Sequence, residues 1–240
     1  CITFNYLGEQ TTLTTVRGGD GKIWLQQNLG SEAVATSSAD ENAYGDLFQW
    51  GRWDDGHQLR NSEVSNVTPA PNNPIGLNGG NSNFLVDNAS WWKTGIISDK
   101  WEAGTPETAD AVNGCDPCKA LGQEWSLPTV TDWTNVIASD EITTVQKAFE
   151  SHLKLTVGGS RTASGSFNFV GTRGYYWTKT TTTNTGYGKH LYYSSAIINP
   201  NSGSYRELGM SVRCLKEGSS LGIGNLIKKS FKIYPNPTNA

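Results

Sequence analysis

Four cysteines, Cys1, Cys115, Cys118 and Cys214, constrain the fold of this 240-residue chain more than any other feature. An even number permits three pairings, and a disulfide between distant positions would hold together segments far apart in the chain. The Cys115–Cys118 spacing also occurs in redox dithiols, but those lie at helix N-termini, whereas residues 119–125 indicate a loop. A zinc site would need a second ligand pair at short spacing, which is missing. We expect structural disulfides; a redox pair and free or metal-bound thiols are the alternatives.

The composition favours short strands and ordered loops around an aromatic core. The chain has 27 glycines, 9 Trp, 9 Tyr and 7 Phe, and charged residues make up only 17%. Glycine suits tight turns, and aromatic side chains bury large apolar surfaces. The net charge of −3 gives no sign of a basic surface for nucleic acid or an anionic membrane. No apolar run reaches the roughly 18 residues of a membrane-spanning helix.

Alternating apolar residues predict a hairpin near the amino terminus. The alternation runs to Val16, a glycine-rich turn occupies 18–21, and a strand resumes over 22–25. Further along, Thr129 begins a capping-box-like motif that predicts a helix. Asp140 is expected to cap a second helix. The apolar residues of that second helix are Ile142, Val145, Phe149 and Leu153.

The last third of the chain returns to strand-like patterns. Strands are predicted over 174–179, 190–197 and 209–215, with polar connecting loops over 180–184 and 199–204. A glycine-rich segment follows and indicates a linker, so we place a domain boundary near residue 218.

Six motifs between Asp20 and Cys214 together resemble a known domain family. They are Asp20–Leu25 with Asn28–Gly30, Ala43–Gly51, Asp55–Gln58, Asp116–Cys118 leading to Trp125–Thr129, Gly174–Thr178 and Gly209–Cys214. This order is similar to the Fibrobacter succinogenes major paralogous domain, which occurs in exported bacterial proteins. The chain departs from the family at Leu25, where methionine is common, and in a longer spacer between Cys118 and Trp125.

The resemblance implies an α+β fold of the C-type-lectin-like group. Such a fold has a small twisted antiparallel sheet, two helices and long ordered loops, here stapled by disulfides. We expect Cys118 to pair with Cys214, which the resemblance also implies, and Cys1 to pair with Cys115. The domain would cover residues 1–218, and the fold by itself does not assign a function.

The tail resembles a second family. Residues 231–238 read FKIYPNPT, which is similar to the opening of the C-terminal sorting domain of the Bacteroidetes type IX secretion system. We therefore expect a linker over 219–228 and the start of a sorting domain over 229–240. The resemblance implies a secreted protein, located outside the cell or on its outer surface.

Aromatic and polar residues of the late strands and one loop are candidates for ligand binding. Sugars present flat C–H faces that stack on aromatic rings and hydroxyls that pair with Asn, Lys and Arg. The candidates are Trp91, Trp92, Tyr187, Lys189, Tyr192, Tyr193, Asn199, Asn201, Tyr205 and Arg206. Because alternate strand residues face opposite sides, either Tyr192 or Tyr193 should be exposed. The alternative is that these aromatics fill the core, cover a sheet edge or anchor a loop.

No motif in the chain predicts catalysis. His57 follows two aspartates and could be a base with an orienting carboxylate, but its motif suggests a structural turn. We expect no cofactor, with a structural calcium ion as the one possibility, because oxygen ligands cluster in one region without a fixed-spacing motif. They are Asp99, Glu102, Asp110, Asn113 and Asp116.

The sequence therefore predicts a secreted, non-catalytic cell-surface domain that binds a glycan or surface polymer. The alternative is a structural or assembly subunit of a surface filament or larger adhesin, in which the aromatics contact other protein subunits or further copies of the chain. An enzyme is the third choice.

Overall fold

A computed structural model of the chain describes residues 1–66, 82–87 and 95–219. None of the helices in these ranges is long and apolar enough to cross a bilayer. The strands of the first half are β1 (Ile2–Tyr6), β2 (Glu9–Leu13), β3 (Thr15–Arg17), β4 (Ile23–Leu25), β5 (Phe48–Gln49), β6 (Val64–Ser65), β7 (Phe84–Leu85), β8 (Lys100–Ala103) and β9 (Asn113–Cys115).

The helices and the remaining strands follow in the second half. The helices are α1 (Val130–Ser139) and α2 (Val145–Glu150). The strands are β10 (Ser160–Arg161), β11 (Phe167–Asn168), β12 (Gly174–Thr181), β13 (Tyr187–Tyr193), β14 (Ile198–Tyr205), β15 (Gly209–Met210) and β16 (Leu215–Lys216). An α+β architecture with mainly short strands is thus confirmed.

The strands form several small sheets rather than one. The antiparallel sheets have the orders β1-β2, β16-β4-β3, β11-β10-β15-β5 and β12-β13-β14, and the last has the longest strands. Two further pairs, β6-β7 and β8-β9, are parallel, which the sequence does not predict. The β16-β4-β3 sheet joins the two ends of the domain, because Leu215 pairs with Trp24.

The predicted hairpin and the first helix are confirmed. Strand β3 pairs with β4 across the glycine-rich turn. Thr129 and Asp132 form a reciprocal capping box at the start of α1: the Thr129 side chain accepts the Asp132 N–H, and the Asp132 side chain accepts the Thr129 N–H. Two backbone donors that would otherwise lack partners are satisfied in this way.

The predicted start of the second helix is wrong. Asp140 ends α1, and α2 begins only after Thr144, whose side chain caps it. Glu141 has φ 53°, in the left-handed region that interrupts a helix, so Asp140 cannot lead directly into one. The Asp140 carboxylate instead accepts a 2.7 Å hydrogen bond from the Gly19 N–H in the β3–β4 turn.

Two of the late strand predictions also need correction. Residues 199–204, predicted as a loop, form most of β14, because their backbone pairs with β13 at the edge of the sheet. The predicted strand 209–215 is split into β15 and β16, which belong to different sheets. The strand predicted over 190–197 begins earlier and ends at Tyr193. The strand predicted over 174–179 is confirmed as part of β12.

The β12-β13-β14 sheet separates two hydrophobic cores. On one face, Tyr176, Leu191 and Tyr193 pack with α1. On the other face, Trp177 packs into the core that contains the disulfide. The helix core includes Trp24, Trp133, Val136, Leu153, Tyr176, Leu191 and Tyr193. The disulfide core includes Phe48, Trp50, Trp101, Cys118, Trp125, Trp177 and Cys214.

Of the two predicted disulfides, one is confirmed and one is wrong. Cys118 and Cys214 are bonded, with their Cα atoms 5.5 Å apart. Cys1 and Cys115 are free. Cys1 lies beside Thr15 at the start of β1, whereas Cys115 lines a cavity with Asn5, close to the other end of that strand. The four-residue step from Cys1 to Asn5 along an extended strand covers about 13 Å, beyond the reach of a disulfide.

Candidate functional site

Strand β13 divides the predicted binding residues between the two faces of its sheet. Leu191 and Tyr193 point into the helix core, and Tyr187 and Lys189 share their face by the two-residue period of a strand. Tyr192 faces the opposite way and packs beside Tyr175 of β12, with ring centroids 5.3 Å apart. The predicted residues of β13 therefore do not form one surface, because neighbouring strand residues cannot share a face. Of Tyr192 and Tyr193, the first is the more exposed, as the alternation requires.

Four of the predicted residues come together on the paired strands β13 and β14, and we call Tyr187, Lys189, Asn201 and Tyr205 the Tyr187 patch. Tyr187 and Tyr205 are cross-strand partners whose rings meet edge to face, with centroids 4.7 Å apart. Lys189 Nζ lies 3.3 Å from the backbone oxygen of Asn201. Tyr205 is 45% exposed, although its ring is large and apolar. A hydrogen bond with Tyr205 raises the pKa of the Tyr187 hydroxyl, which stays protonated and can donate.

Two predicted binding residues are too buried to contact a ligand, and this part of the prediction is wrong. Tyr193 is 1% exposed, and its hydroxyl donates to the Thr156 carbonyl oxygen. Arg206 is fully buried and forms an ion pair with Asp99 at 2.5 Å, below the ring of Trp50. A guanidinium removed from water needs such a carboxylate. The ion pair joins the segment before β8 to the segment after β14.

The remaining predicted residues have separate positions. Asn199 lies opposite Tyr192 in β14, and its side-chain oxygen accepts a 2.9 Å hydrogen bond from the Asn201 N–H in a local bulge. Trp91 and Trp92 lie outside the described residues. The predicted linker and sorting domain also lie outside them, apart from Ser219.

The geometry around His57 is that of a buried structural network. Its Nδ1–H donates to Asp55 Oδ1 at 2.5 Å, and its Nε2 accepts the Gln49 N–H at 2.9 Å. Arg52 donates to the same aspartate at 2.8 Å. Burial and the nearby Arg52 lower the pKa of His57 to about 4, so the ring is neutral at physiological pH. Both ring nitrogens are engaged, and neither is available to a bound molecule.

His190 is buried between the strands in a similar way. Its Nδ1–H donates to the Leu191 carbonyl at 3.1 Å, and its Nε2 accepts from the Ser204 hydroxyl at 2.8 Å. The third histidine, His152, is exposed and bonds to Asp140 at 2.9 Å, which fixes the loop after α2. Of the three, His190 is the one hydrogen-bonded to a hydroxyl in the described ranges, that of Ser204, and its other ring nitrogen faces a backbone carbonyl rather than an orienting carboxylate.

The stability of the domain is expected to fall in weak acid because of His190. Burial lowers its pKa to about 4 in the folded chain, against an ordinary value of 6.5 when unfolded. Between these two values the unfolded state binds a proton that the folded state does not. The contribution of neutral His190 to the free energy of unfolding is therefore intact above pH 6.5 and lost as the pH falls towards 4. The loss at pH 5 should be about 2 kcal/mol. Urea unfolding of wild type and His190→Gln at pH 7.5 and pH 5 measures it, and an equal loss in both proteins would contradict the assignment.

The predicted calcium ligands are not brought together. Asp99 is paired with Arg206, and Asp116 accepts backbone hydrogen bonds as the cap of the 3₁₀ turn after it. Asn113 Oδ1 accepts the Glu102 N–H at 3.0 Å. Across the described ranges, no group of three or more His, Cys, Asp or Glu side chains is arranged to hold a metal ion.

The free thiol of Cys115 lines a cavity of about 520 Å³ with Asp116 and Asn5. Burial, together with the negative charge of Asp116, raises the pKa of Cys115 to about 12. Because the thiolate is the reactive form, this thiol is a weak nucleophile. The cavity therefore gives no support to the redox interpretation of the Cys115–Cys118 spacing.

A second aromatic group, which is half-buried, was missed from the sequence. Phe169, Arg173 and Tyr175 surround Tyr192 on the face opposite the Tyr187 patch. One sequence signal could have indicated this group. Arg173 and Tyr175 are two residues apart at the start of an aromatic strand, and residues at that spacing face the same side.

Comparison of the chain with protein-family models, curated proteins and solved structures finds no match in any of the three.

Proposed function

We propose that this chain is a secreted, non-catalytic binding domain that holds a glycan or surface polymer at the Tyr187 patch. The supporting observation is the edge-to-face pair of half-buried Tyr187 and exposed Tyr205 beside a lysine and an asparagine. The tyrosine rings offer an apolar surface to the C–H face of a sugar, and the surrounding groups donate and accept hydrogen bonds. Sheet pairing holds Tyr187 and Tyr205 in place, which limits the entropy lost on binding.

The proposed family is supported by the positions that the motif residues take in the structure. Trp24, Trp50, Trp125 and Trp177, from four of the six motifs, are buried. The cysteine pair that the resemblance implies is also present. We propose on these grounds a C-type-lectin-like domain of the Fibrobacter succinogenes major paralogous type. On the tail motif, we propose that it is exported by type IX secretion to the outer cell surface.

Replacing Tyr205 with alanine is expected to abolish binding on a glycan array, because it removes half of the stacking surface. Phe167→Ala is the matched control, since Phe167 is 44% exposed and lies in β11, in a different sheet. The thermal midpoint of each variant shows whether it remains folded. Loss of signal in both variants, or in neither, would contradict binding at the Tyr187 patch.

Assembly with other copies is the second candidate function, favoured by an exposed apolar group at the start of β8. Ile96 and Ile97 are 44% and 57% exposed, and Val112 in the adjoining loop is 45% exposed. Apolar patches of this kind often mark protein contacts. Light scattering on the same purified protein separates the two functions: a defined oligomer that binds no glycan supports assembly, and a monomer that binds supports the proposed function.

A further inference from the structure

Arg173 lies at the centre of a half-buried aromatic group on the sheet face opposite the Tyr187 patch, and Phe169 is its most exposed member. We call Phe169, Arg173, Tyr175 and Tyr192 the Arg173 patch. The guanidinium carbon is 3.4 Å from the centre of the Phe169 ring and 5.8 Å from that of Tyr192. A hydrogen bond to the Tyr175 hydroxyl raises the pKa of Arg173, so the group is charged at every relevant pH.

The positive charge of Arg173 is not neutralised within the part of the chain that the structure describes. No carboxylate in these ranges forms an ion pair with it, whereas Arg52 and Arg206 each have an aspartate. The net charge of the chain is −3, so the charge of Arg173 is opposite in sign to that of the chain as a whole.

Phe169 is held beneath Arg173 in an unfavourable backbone conformation. Its φ is 55°, which is uncommon for a bulky side chain. The conformation is fixed because the Phe169 carbonyl accepts hydrogen bonds from the N–H groups of Thr172 and Arg173, both at 3.1 Å. Strain of this kind persists where the surroundings enforce it and is frequent at binding sites. The result is a guanidinium that lies on the Phe169 ring before any ligand arrives.

We infer that the Arg173 patch binds an acidic saccharide, with a sugar ring on Tyr192 and its carboxylate on Arg173. The carboxylate of a uronic acid is attached directly to the sugar ring. A ring stacked on Tyr192 therefore brings the carboxylate beside a guanidinium 5.8 Å away, whose planar array of donors matches it.

The backbone around the Arg173 patch favours a saccharide over an acidic peptide. Tyr192 pairs with Tyr175 on one side and Asn199 on the other. The carbonyl of Tyr175 accepts the Ser211 N–H at 3.1 Å, so the other edge of β12 is also occupied here. An extended peptide gains much of its affinity by adding a strand to a free edge. Neither β12 nor β13 offers one beside Arg173, and the open edge of β14 lies on the far side of Asn199. Recognition must come from side chains, as it does for sugars.

The inference is independent of the proposed function, because the two patches lie on opposite faces and share no residue. Isothermal titration of the whole chain is the test, with oligomers of galacturonate, of glucuronate and of mannuronate and guluronate as probes. We expect at least one series to bind and Arg173→Gln to weaken it roughly 10- to 100-fold. The methyl ester of the same oligomer, which has lost only its charge, should be weakened to the same extent.

Matched controls separate this site from the Tyr187 patch and from misfolding. Arg17→Gln removes the same charge from another exposed arginine and should leave affinity unchanged. Tyr205→Ala should also leave uronate binding unchanged, and circular dichroism checks that each variant is folded. Failure of all three series to bind the wild type would overturn the inference. So would retained affinity in Arg173→Gln, or Arg173-dependent binding of polyglutamate without any uronate binding.

Discussion

Removing the Cys118–Cys214 disulfide is expected to lower the free energy of unfolding by about 4 to 5 kcal/mol. The two cysteines are 96 residues apart, so the bond closes a long loop and removes much of the conformational entropy of the unfolded chain. In the folded chain it joins the 3₁₀ turn Pro117–Leu121 to the segment leading into β16. Urea unfolding of the Cys118→Ser/Cys214→Ser double variant against wild type measures the loss.

Cys1→Ser is the matched control for that experiment. Cys1 is exposed and unpaired, so its replacement should change the free energy of unfolding by less than about 0.5 kcal/mol. Thiol labelling of the denatured wild type should detect two free thiols, Cys1 and Cys115. Four labelled thiols, or a double variant that loses less than about 1 kcal/mol, would contradict the structural role of the bond.

Local sequence signals predicted the elements whose stabilising contacts are themselves local. Thr129 and Asp132 are three residues apart, and together they determine where α1 begins. The turn 18–21 likewise fixes the β3–β4 hairpin. The disulfide required more: four cysteines allow three pairings, and the order of motifs along the whole chain supported the pair that forms.

Elements held by distant partners were not predictable in this way. Strand β14 is polar and rich in small residues, and it becomes a strand because β13 offers a free edge. Arg206 was predicted to bind a ligand because arginine pairs with sugar hydroxyls, but Asp99, 107 positions away, makes its burial tolerable. A single sequence does not show such pairs.

The candidate site was predicted in composition but not in arrangement. The late strands do carry exposed aromatic and amide groups, and four of the ten predicted residues meet in the Tyr187 patch. The bulge in β14 and the bulge in β12 change which residues face each other, and the sequence gives no direct sign of either. Phe169 was missed because its own backbone is in the left-handed conformation, and the hydrophobic periodicity of the sequence assigns such a position to a loop.

Replacing Arg213 with methionine is expected to destabilise the domain by about 3 to 5 kcal/mol. Arg213 is 1% exposed, and burial lowers its pKa. Its guanidinium donates to Asn28 Oδ1 and to the carbonyl oxygens of Leu25 and Leu153. Methionine fills similar space but leaves these buried acceptors without donors, and each unpaired acceptor is costly.

The same network explains why lysine should not substitute for Arg213. The guanidinium spans acceptors on β4, on the loop after it and on the segment after α2, whereas an ammonium group offers a single compact charge. Arg213→Lys should therefore lose at least about 2 kcal/mol in urea unfolding, with Arg17→Gln as the exposed control. Near-wild-type stability of either Arg213 variant would mean that water satisfies these carbonyls and that the arginine does not join the three segments. A large loss in both variants would show that Arg213 holds the β16-β4-β3 sheet, which joins the two ends of the domain, to the helix core. Arg213 would do so as a buried positive charge that has no carboxylate partner in the described structure.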